Sequence, residues 1–386
     1  MATQPLTKTL TAHCFCRAVH YYLSIPITSL PLRTHICHCS ICRYTHGTPC
    51  IFHAPLPAGI TPQWIAPSGP NALTSYKATS SALCERVFCS TCGCQIGDFW
   101  PAKSINSKEE EKEEEEEREQ NAADDRQWAV STSIFTDHGP SNFQIDKHSF
   151  TDSALGGAGL HQLLPRIGGR EMKVYTGNFL PPDVNRILPQ APAPPKAEFG
   201  GADGKEERLR AECHCGGVSF TFPRPTQGVL DDPTLSKFVS PTDPRKWVAC
   251  LDLCDDCRLL NGTHVIAWTF LPLHLLEPAV GTDLSIGSTK TFVSSKGVRR
   301  AFCGTCGATV FYWCEDNAAM VDVALGLVRA TEGPFVESWM TWRNGRVAYK
   351  ESGERFDKDF AEAMVGGIEK WGVEREGKVL DFTIGG

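Results

Sequence analysis

Residues 37–43 read Cys-His-Cys-Ser-Ile-Cys-Arg, and the other motifs of the chain are arranged around this stretch. Cys37 and Cys39 point the same way on an extended segment, and a tight turn is predicted to return Cys42 to them, so three thiolates can share one small cation. Closed structural zinc sites have four protein ligands, whereas three ligands leave a position open to water or substrate. This stretch is therefore the candidate catalytic centre.

Two cysteine pairs flank it, Cys14 and Cys16 upstream and Cys89 and Cys92 downstream. Together they supply the four thiolates of a closed zinc site, which would tie the start of a domain to its middle. Gly93 suits the positive φ that a metal knuckle often requires after its second ligand. A redox dithiol is the alternative, but no βαβ pattern surrounds either pair.

The same cysteine pattern recurs in the second half of the chain. The interval from Cys42 to Cys89 is 47 residues, and that from Cys257 to Cys303 is 46. Such a repeat predicts two tandem copies of one unit. The predicted metal ligands of the second copy are a closed set, Cys213, Cys215, Cys303 and Cys306, and a set equivalent to the candidate centre, Cys250, Cys254 and Cys257.

The second copy departs from the first at one ligand. Counting back from Cys254 and Cys257, the position of Cys37 is taken by Asp252, and the nearest upstream cysteine, Cys250, comes two residues too early. Either Cys250 reaches the metal through an altered turn or Asp252 supplies an oxygen. The other alternative is a degenerate site in a domain kept for structure or for the shape a partner recognises.

Two interpretations of Cys37, Cys39 and Cys42 remain open. The first is a further structural zinc completed by a histidine, with His35, His38 and His46 as the candidates. His38 lies between two ligands on an extended segment and should point away from them, so we count it as a non-ligand. The second interpretation is an open zinc that receives a substrate thiol, lowers its pKa and prepares it to attack a small carbonyl carbon.

The totals indicate a two-domain protein with metal-binding thiols. A chain of 386 residues is too long for one core, and 41% hydrophobic with 22% charged residues is typical of soluble globular proteins. Residues 1–11 are polar and unlike a signal peptide, and no apolar run approaches a membrane span. We expect a cytoplasmic location, with the nucleus as the alternative, where clustered cysteines are more often metal ligands than disulfides.

The net charge of −7 has a local origin. Residues 109–119 hold nine glutamates against one lysine and one arginine, and acidic and basic residues balance elsewhere. No basic face of the kind that binds phosphate backbones is predicted, so we expect no direct contact with nucleic acid. The acidic tract over about 103–126 is predicted to be a disordered surface insertion in the first domain.

The fold class predicted from the remaining pattern is mainly β. Short alternating segments rich in β-branched and aromatic residues are separated by Gly- and Pro-rich turns. The predicted domains are 8–188 and 207–374, joined by a linker over 189–206 where Pro, Ala and Gly crowd together. Near the end, apolar residues at helical spacing predict an amphipathic helix packed on the second domain: Phe356, Phe360, Met364, Ile368 and Trp371.

The succession of Cys-x-Cys, Cys-His-Cys-x-x-Cys-Arg and Phe-Cys-x-x-Cys-Gly resembles the glutathione-dependent formaldehyde-activating enzyme family, whose domain also occurs in centromere protein V. The resemblance covers most of both halves. It implies two tandem Mss4-like domains, each a distorted β-sandwich with a zinc ribbon and up to two Zn²⁺. It also implies a structural zinc on Cys14, Cys16, Cys89 and Cys92 and a labile catalytic zinc on Cys37, Cys39 and Cys42.

The family's activity is the making or breaking of a carbon–sulfur bond, as in S-(hydroxymethyl)glutathione. The first hypothesis is therefore a zinc-dependent carbon–sulfur lyase whose partner is a small thiol or its glutathione adduct. The second is a non-catalytic tandem zinc scaffold that binds a protein or chromatin partner. A methionine-sulfoxide reductase is a third idea, and its reactive cysteine would be one of Cys50, Cys84, Cys94 and Cys314.

Overall fold

The computed structural model describes residues 6–82, 84–101, 126–154, 159–177 and 207–385. Its architecture is mainly β with two sheet-rich halves and a C-terminal helix, as the sequence predicted. The predicted acidic insertion, except for Arg126, and the predicted linker lie outside the described residues.

The strands of the first half are short and alternate in burial. In β2, for example, Tyr21, Leu23 and Ile25 face the core while the residues between them are partly exposed, which is the period of a half-buried strand. The first-half strands are β1 (Thr7–His13), β2 (His20–Pro26), β3 (Leu32–Cys37), β4 (Ile51–Pro55), β5 (Gln63–Trp64), β6 (Leu73–Lys77), β7 (Glu85–Cys89), β8 (Gln95–Pro101), β9 (Arg126–Ser131), β10 (Phe143–Ser149), β11 (Arg166–Ile167), β12 (Arg170–Glu171) and β13 (Lys173–Val174).

The second half repeats this series. Its strands are β14 (Arg208–Glu212), β15 (Ser219–Pro223), β16 (Trp247–Asp252), β17 (Ile266–Pro272), β18 (Thr289–Ser295), β19 (Val298–Cys303), β20 (Thr309–Cys314), β21 (Met320–Ala324) and β22 (Met340–Trp342). The α-helices of the described residues are α1 (Ser40–His46), α2 (Gln227–Asp231), α3 (Asp255–Asn261), α4 (Lys350–Phe356) and α5 (Lys358–Glu376).

The order of strands in the two main sheets confirms the tandem repeat. The first sheet runs β13-β10-β3-β4-β9-β8-β7-β6, and the second runs β22-β16-β17-β21-β20-β19-β18. Apart from the added β13, each strand of one sheet has a counterpart at the same place in the other. Smaller sheets, β1-β2-β5 and β14-β15, carry the first cysteine pair of each half.

The two halves meet through equivalent contacts on both sides. The Phe15 amide donates to the Leu259 carbonyl at 3.1 Å, and the His214 amide donates to the Tyr44 carbonyl at 3.0 Å. Phe15 and His214 both lie inside a Cys-x-Cys pair, and Tyr44 and Leu259 both lie two residues after a third cluster cysteine. The halves are therefore related by an approximate two-fold axis, like the subunits of an isologous dimer.

Two glycines allow this close approach. Gly47 ends α1 at φ 72°, and a Cβ placed on it would lie 2.1 Å from the Thr309 carbonyl oxygen. Gly262 ends α3 at φ 65°, and its Cβ would lie 2.1 Å from the Gln95 carbonyl oxygen. Only glycine fits where the backbone is both left-handed and this close to another chain segment.

The sequence predicted one amphipathic helix packed on the second domain, whereas the structure has two helices, α4 and α5, and α5 contacts both halves. Asp357 separates α4 from α5 and caps α5 by accepting the Phe360 amide at 3.0 Å. The Phe360 ring meets Phe52 of the first half at 5.2 Å, and the Trp371 ring stacks on Phe335 of the second half at 4.9 Å. One continuous core cluster accordingly contains side chains from both halves and from α5.

None of the helices in the described ranges has the length and apolar character required to cross a membrane.

Candidate metal centres and active site

In each half, the four cysteines predicted to form a closed zinc site come together. We call these the ribbon cysteines. Four sulfurs lie within 4.8 Å of one another in the first half, and four equivalent sulfurs do so in the second. The Cys14–Cys16 sulfurs are 3.5 Å apart, as are those of Cys213 and Cys215. A tetrahedral zinc with Zn–S bonds of about 2.3 Å separates its sulfurs by about 3.8 Å, so these donors fit that ion. The sets are Cys14, Cys16, Cys89 and Cys92, and Cys213, Cys215, Cys303 and Cys306.

The three cysteines of the candidate centre also come together, but on a helix start rather than a tight turn. Cys37 ends β3, Cys39 is the N-cap of α1, and Cys42 lies in its first turn. The Cys39 sulfur accepts the Cys42 amide at 3.3 Å, and the Cys37 and Cys42 sulfurs are 3.7 Å apart. The helix cap therefore sets the spacing of the three donors.

The donor set has three members. The sulfurs of Cys37, Cys39 and Cys42 lie within 4.8 Å of one another, and no fourth Cys, His, Asp or Glu of the described residues joins the group. His38, one of the candidates for a fourth ligand, instead pairs its Nε2 with Nδ1 of His148 at 2.9 Å. The set therefore leaves one corner of a tetrahedral ion without a protein ligand.

A buried cation supports the thiolates. The Arg86 Nη2 donates to the Cys42 sulfur at 3.7 Å, and Arg86 is 7% exposed. Hydrogen bonds from Cys37 and Cys42 hold the pKa of Cys39 well below its ordinary value, with Arg86 contributing in the same direction. The pKa of Cys37 is raised by its hydrogen bonds with Cys39 and Cys42, and the pKa of Cys42 is raised as well, so the negative charge of the three thiols is placed on Cys39, near the Arg86 cation.

The second half builds its centre from two cysteines and an aspartate. Asp252, Cys254 and Cys257 form a group with donor atoms within 4.8 Å, and Cys250 is not part of it. The Asp252 Oδ1 accepts the Cys254 amide at 2.7 Å, and its Oδ2 lies 3.7 Å from the Cys257 sulfur. Of the two candidate third ligands, Cys250 and Asp252, the structure brings the Asp252 oxygen to the thiols.

Strand register explains where Cys250 goes. Cys37 pairs with Ile51 across β3 and β4, and Asp252 pairs with Ile266 across β16 and β17. Cys250 consequently takes the place that His35 has in the first half. Burial raises the pKa of the Cys250 thiol.

The surroundings of the two centres differ. Cys37, Cys39 and Cys42 are each at most 9% exposed, and Ala78 and Phe150 pack against their cluster. The second centre instead opens into a cavity of about 570 Å³ whose rim includes the exposed Tyr349. Trp268, Arg300, Tyr312, Asp322 and Arg343 are among its lining residues.

Polar residues surround the first centre; His46 was a candidate ligand from the sequence, whereas His53, Asp98 and Arg86 were not foreseen. His53 Nδ1 pairs with Asp98 Oδ2 at 3.0 Å, and His46 Nδ1 lies 2.9 Å from the Cys42 carbonyl oxygen. The His46 and His53 rings are 5.7 Å apart. Four buried atoms here have no hydrogen-bond partner: His46 Nε2, His53 Nε2, Arg86 Nε and Asp98 Oδ1. Buried polar atoms normally have hydrogen-bond partners, so these four atoms indicate a place where a polar ligand or a water molecule binds.

The second half keeps only the arginine of this group. Arg300 and Arg86 both precede a ribbon cysteine by three residues, and the Arg300 Nη1 donates to the Cys257 sulfur at 3.4 Å. Trp268 takes the place of His53 in the strand register. Tyr312 and Asp98 both lie six residues after the last ribbon cysteine, so a phenol replaces the carboxylate. The histidine–aspartate pair is therefore specific to the first half.

The unassigned cysteines stay outside every potential ligand group in the described part of the chain, and they are Cys50, Cys84, Cys94 and Cys314. Cys50 and Cys94 are fully buried in the cores of the protein, as expected of small hydrophobic residues.

Comparison with known proteins agrees with the repeat seen in the fold. A search of curated proteins found no match to the chain. The sequence profile of the glutathione-dependent formaldehyde-activating enzyme family matches residues 9–111 and 237–342. These two segments contain the central clusters of both halves and together make up more than half of the 386 residues. The chain therefore belongs to the glutathione-dependent formaldehyde-activating enzyme family, of which it holds two tandem domains.

Proposed function

We propose that the first half is a zinc-dependent carbon–sulfur lyase that makes or cleaves the adduct of a small thiol with an aldehyde, S-(hydroxymethyl)glutathione being the model substrate. The observation that carries the proposal is the three-sulfur set of Cys37, Cys39 and Cys42, to which no further described ligand is added. Membership of a family named for formaldehyde activation supports the same reaction class.

The donors suit a metal that handles thiols. Zinc held by these three thiolates would offer its fourth position to a substrate sulfur and favour the thiolate form of that sulfur. The Arg86 guanidinium offsets part of the negative charge that collects on the cysteines. Burial of the cysteines keeps bulk water from competing for the site.

The proton of the reaction is assigned to His53. The His53 Nδ1 donates to the Asp98 carboxylate. The His53 Nε2 has no hydrogen-bond partner and is therefore available to give or accept a proton. In the adduct-forming direction, the thiolate sulfur bonds to the aldehyde carbon, the C=O π electrons move to oxygen, and protonated His53 delivers its Nε2 proton to that oxygen. In cleavage, neutral His53 removes the hydroxyl proton, C=O re-forms and the C–S electrons return to sulfur.

Replacement of His53 by Gln should lower the rate of adduct exchange by about 100-fold or more, because general acid–base catalysis usually contributes at least that much. Asp98→Asn should lower it too, since the amide no longer fixes the ring by an ionic hydrogen bond. Metal content measured by mass spectrometry should be unchanged in both variants. A full rate in His53→Gln would assign the proton to another group.

A direct assay tests the function itself. Purified protein is added to glutathione and isotopically labelled formaldehyde, and NMR exchange spectroscopy measures interconversion of hydrated formaldehyde and its adduct. We expect exchange well above the spontaneous rate in the same buffer. A rate equal to the spontaneous one, with full metal occupancy, would refute the lyase for this thiol and aldehyde.

A second candidate function is the tandem zinc scaffold. The observation in its favour is the burial of Cys37, Cys39 and Cys42 beneath Ala78 and Phe150, together with the shared core of the halves. A scaffold needs metal only for folding. It therefore predicts a folded, metal-loaded protein without adduct exchange, and the assay above separates the two.

A further inference from the structure

A third kind of ligand cluster lies at the junction of the two halves and the C-terminal helices. One ring nitrogen each from His138 and His264 and one carboxylate oxygen of Asp357 lie within 4.8 Å of one another. No cysteine takes part. His138 belongs to the first half, His264 to the second, and Asp357 to the link between α4 and α5.

The polar atoms of this cluster converge. The Nε2 atoms of His138 and His264 face each other at 3.2 Å. The His138 Nδ1 is 3.4 Å from Asp357 Oδ2 and has no well-directed hydrogen bond. One ion can bind only one nitrogen of His138. Between the two Nε2 atoms, at about 2.0–2.1 Å from each, it would accept a lone pair from both imidazoles, and the Asp357 carboxylate, which no well-directed hydrogen bond holds at Nδ1, would turn to it.

Outer contacts fix the orientation of the donors. The Ser133 Oγ lies 2.7 Å from the His264 Nδ1 and occupies that side of the ring. The two oxygens of Asp357 have different contacts. Oδ1 accepts the Phe360 amide and caps α5, while Oδ2 faces His138. Such outer partners are the usual support of imidazole and carboxylate ligands.

Burial keeps the imidazoles neutral. The side chains of His138 and Asp357 are 2% and 16% exposed, and His264 is 3% exposed. Burial lowers the pKa of His138 and holds that of His264 well below its ordinary value, which is the direction that favours neutral imidazoles. Burial also raises the pKa of the Asp357 carboxyl to about 6, and a bound cation would relieve the cost of its buried charge.

The charge of the nearby Arg258 is already balanced. Its guanidinium is 2.9 Å from Asp255 Oδ1 and lies 3.8 Å from the centre of the Phe356 ring. Arg258 is therefore not the charge partner of Asp357, whose Oδ2 faces His138.

The cluster occurs on one side of the two-fold only. His264 lies two residues before Ile266, and the residue two before the equivalent Ile51 is Pro49, which has no donor side chain. Within the described residues, the helices α4 and α5 follow the second half and have no counterpart in the first. The cluster is thus tied to the C-terminal helices and not to the chemistry that the repeat carries.

We propose that His138, His264 and Asp357 bind a divalent transition-metal ion that fastens the C-terminal helices to both halves. Two imidazoles and a carboxylate select ions such as zinc or cobalt over magnesium or calcium, which prefer all-oxygen sites. The two imidazoles pack against aromatic rings, those of Phe52, Phe143 and Phe356. The site is therefore structural and does not bind a substrate.

Metal counting with a conservative variant tests the proposal. Protein is produced in cobalt-supplemented minimal medium, and cobalt per chain is measured by mass spectrometry. Asp357→Asn keeps an oxygen for the helix cap and removes the charged ligand, so it should hold one cobalt fewer than the unmodified protein. His264→Gln should show the same loss. The sulfur-to-cobalt charge-transfer absorption of the cysteine sites should be unchanged in both, while part of the weaker visible absorption is lost.

His274→Gln is the matched control, because His274 is exposed and should leave the count unchanged. Equal cobalt in the unmodified protein, Asp357→Asn and His264→Gln would overturn the proposal. The three groups would then be a proton-linked chain in which Ser133 donates to His264, His264 to His138 and His138 to Asp357. The count is independent of adduct exchange, so failure of the lyase assay leaves it standing.

Discussion

Replacement of Cys39 by Ser is expected to abolish adduct exchange while the protein stays folded. Serine is a favoured N-cap, so its oxygen can accept the Cys42 amide as the Cys39 sulfur does and preserve the start of α1. It does not replace a thiolate on zinc. Loss of an outer-shell partner alone costs about 10–100-fold in metal affinity or activity, so loss of a direct ligand should cost more than about 100-fold. NMR exchange, far-UV circular dichroism and metal content measure the rate, the fold and the ligand loss.

Two comparators make this result specific. Cys314→Ser changes a partly exposed cysteine outside every described ligand group and should keep the full rate. Cys254→Ser is the equivalent change in the second half, where no histidine–aspartate pair accompanies the cluster, and it should keep the greater part of the rate. If Cys254→Ser abolished exchange and Cys39→Ser did not, the reaction would belong to the second half and its open cavity.

Spacing within the cysteine motifs was enough to predict the ligand clusters. A Cys-x-x-Cys spans one turn, so its two sulfurs are neighbours whether the turn is a knuckle or the start of a helix. The spacing of the three cysteines predicted a tight turn after Cys39. The structure has a helix, and the signal for it was Gly47, which stands where a left-handed helix end requires glycine.

Contacts set by strand pairing were outside the reach of the sequence. His53 and Asp98 lie 45 residues apart and meet only because β4 and β8 both flank β9. Likewise, Cys250 and Asp252 point to the same face of β16, and alternation alone does not tell which one reaches the helix cap. The choice follows from the Asp252 side chain, which accepts the Cys254 amide at the start of α3.

Contacts between the halves were also invisible at the sequence level. A tandem repeat predicts two similar units but not the surface by which they meet. The Phe15–Leu259 and His214–Tyr44 hydrogen bonds bring each ribbon against the other half's α1 or α3. They also place His138 beside His264, 126 residues later in the chain. The repeat thus produces a two-fold interface between the halves, and the C-terminal helices α4 and α5 pack onto it.

The second large effect is expected from the first-half ribbon. Cys89→Ser should unfold the first half, because its sulfur is fully buried among the other three ribbon sulfurs and a hydroxyl is a poor substitute. Structural zinc contributes about 10–16 kcal/mol in zinc-finger peptides, and whole domains are stable by only about 5–15 kcal/mol. Loss of the ribbon metal is therefore comparable to the entire stability. Thermal unfolding followed by circular dichroism, with metal content, measures the change.

The shared core decides how far the damage spreads. Phe52 of the first half and Phe360 of α5 belong to the same core cluster as Trp268 of the second half, so the halves are not expected to melt separately. Cys89→Ser should remove the cooperative transition of the whole chain, whereas Cys94→Ser, which changes a buried cysteine outside the ligand sets, should lower its midpoint only modestly. A second transition that survives in Cys89→Ser at the original temperature would show that the second half folds on its own. A normal transition in that variant would mean that the ribbon metal is dispensable.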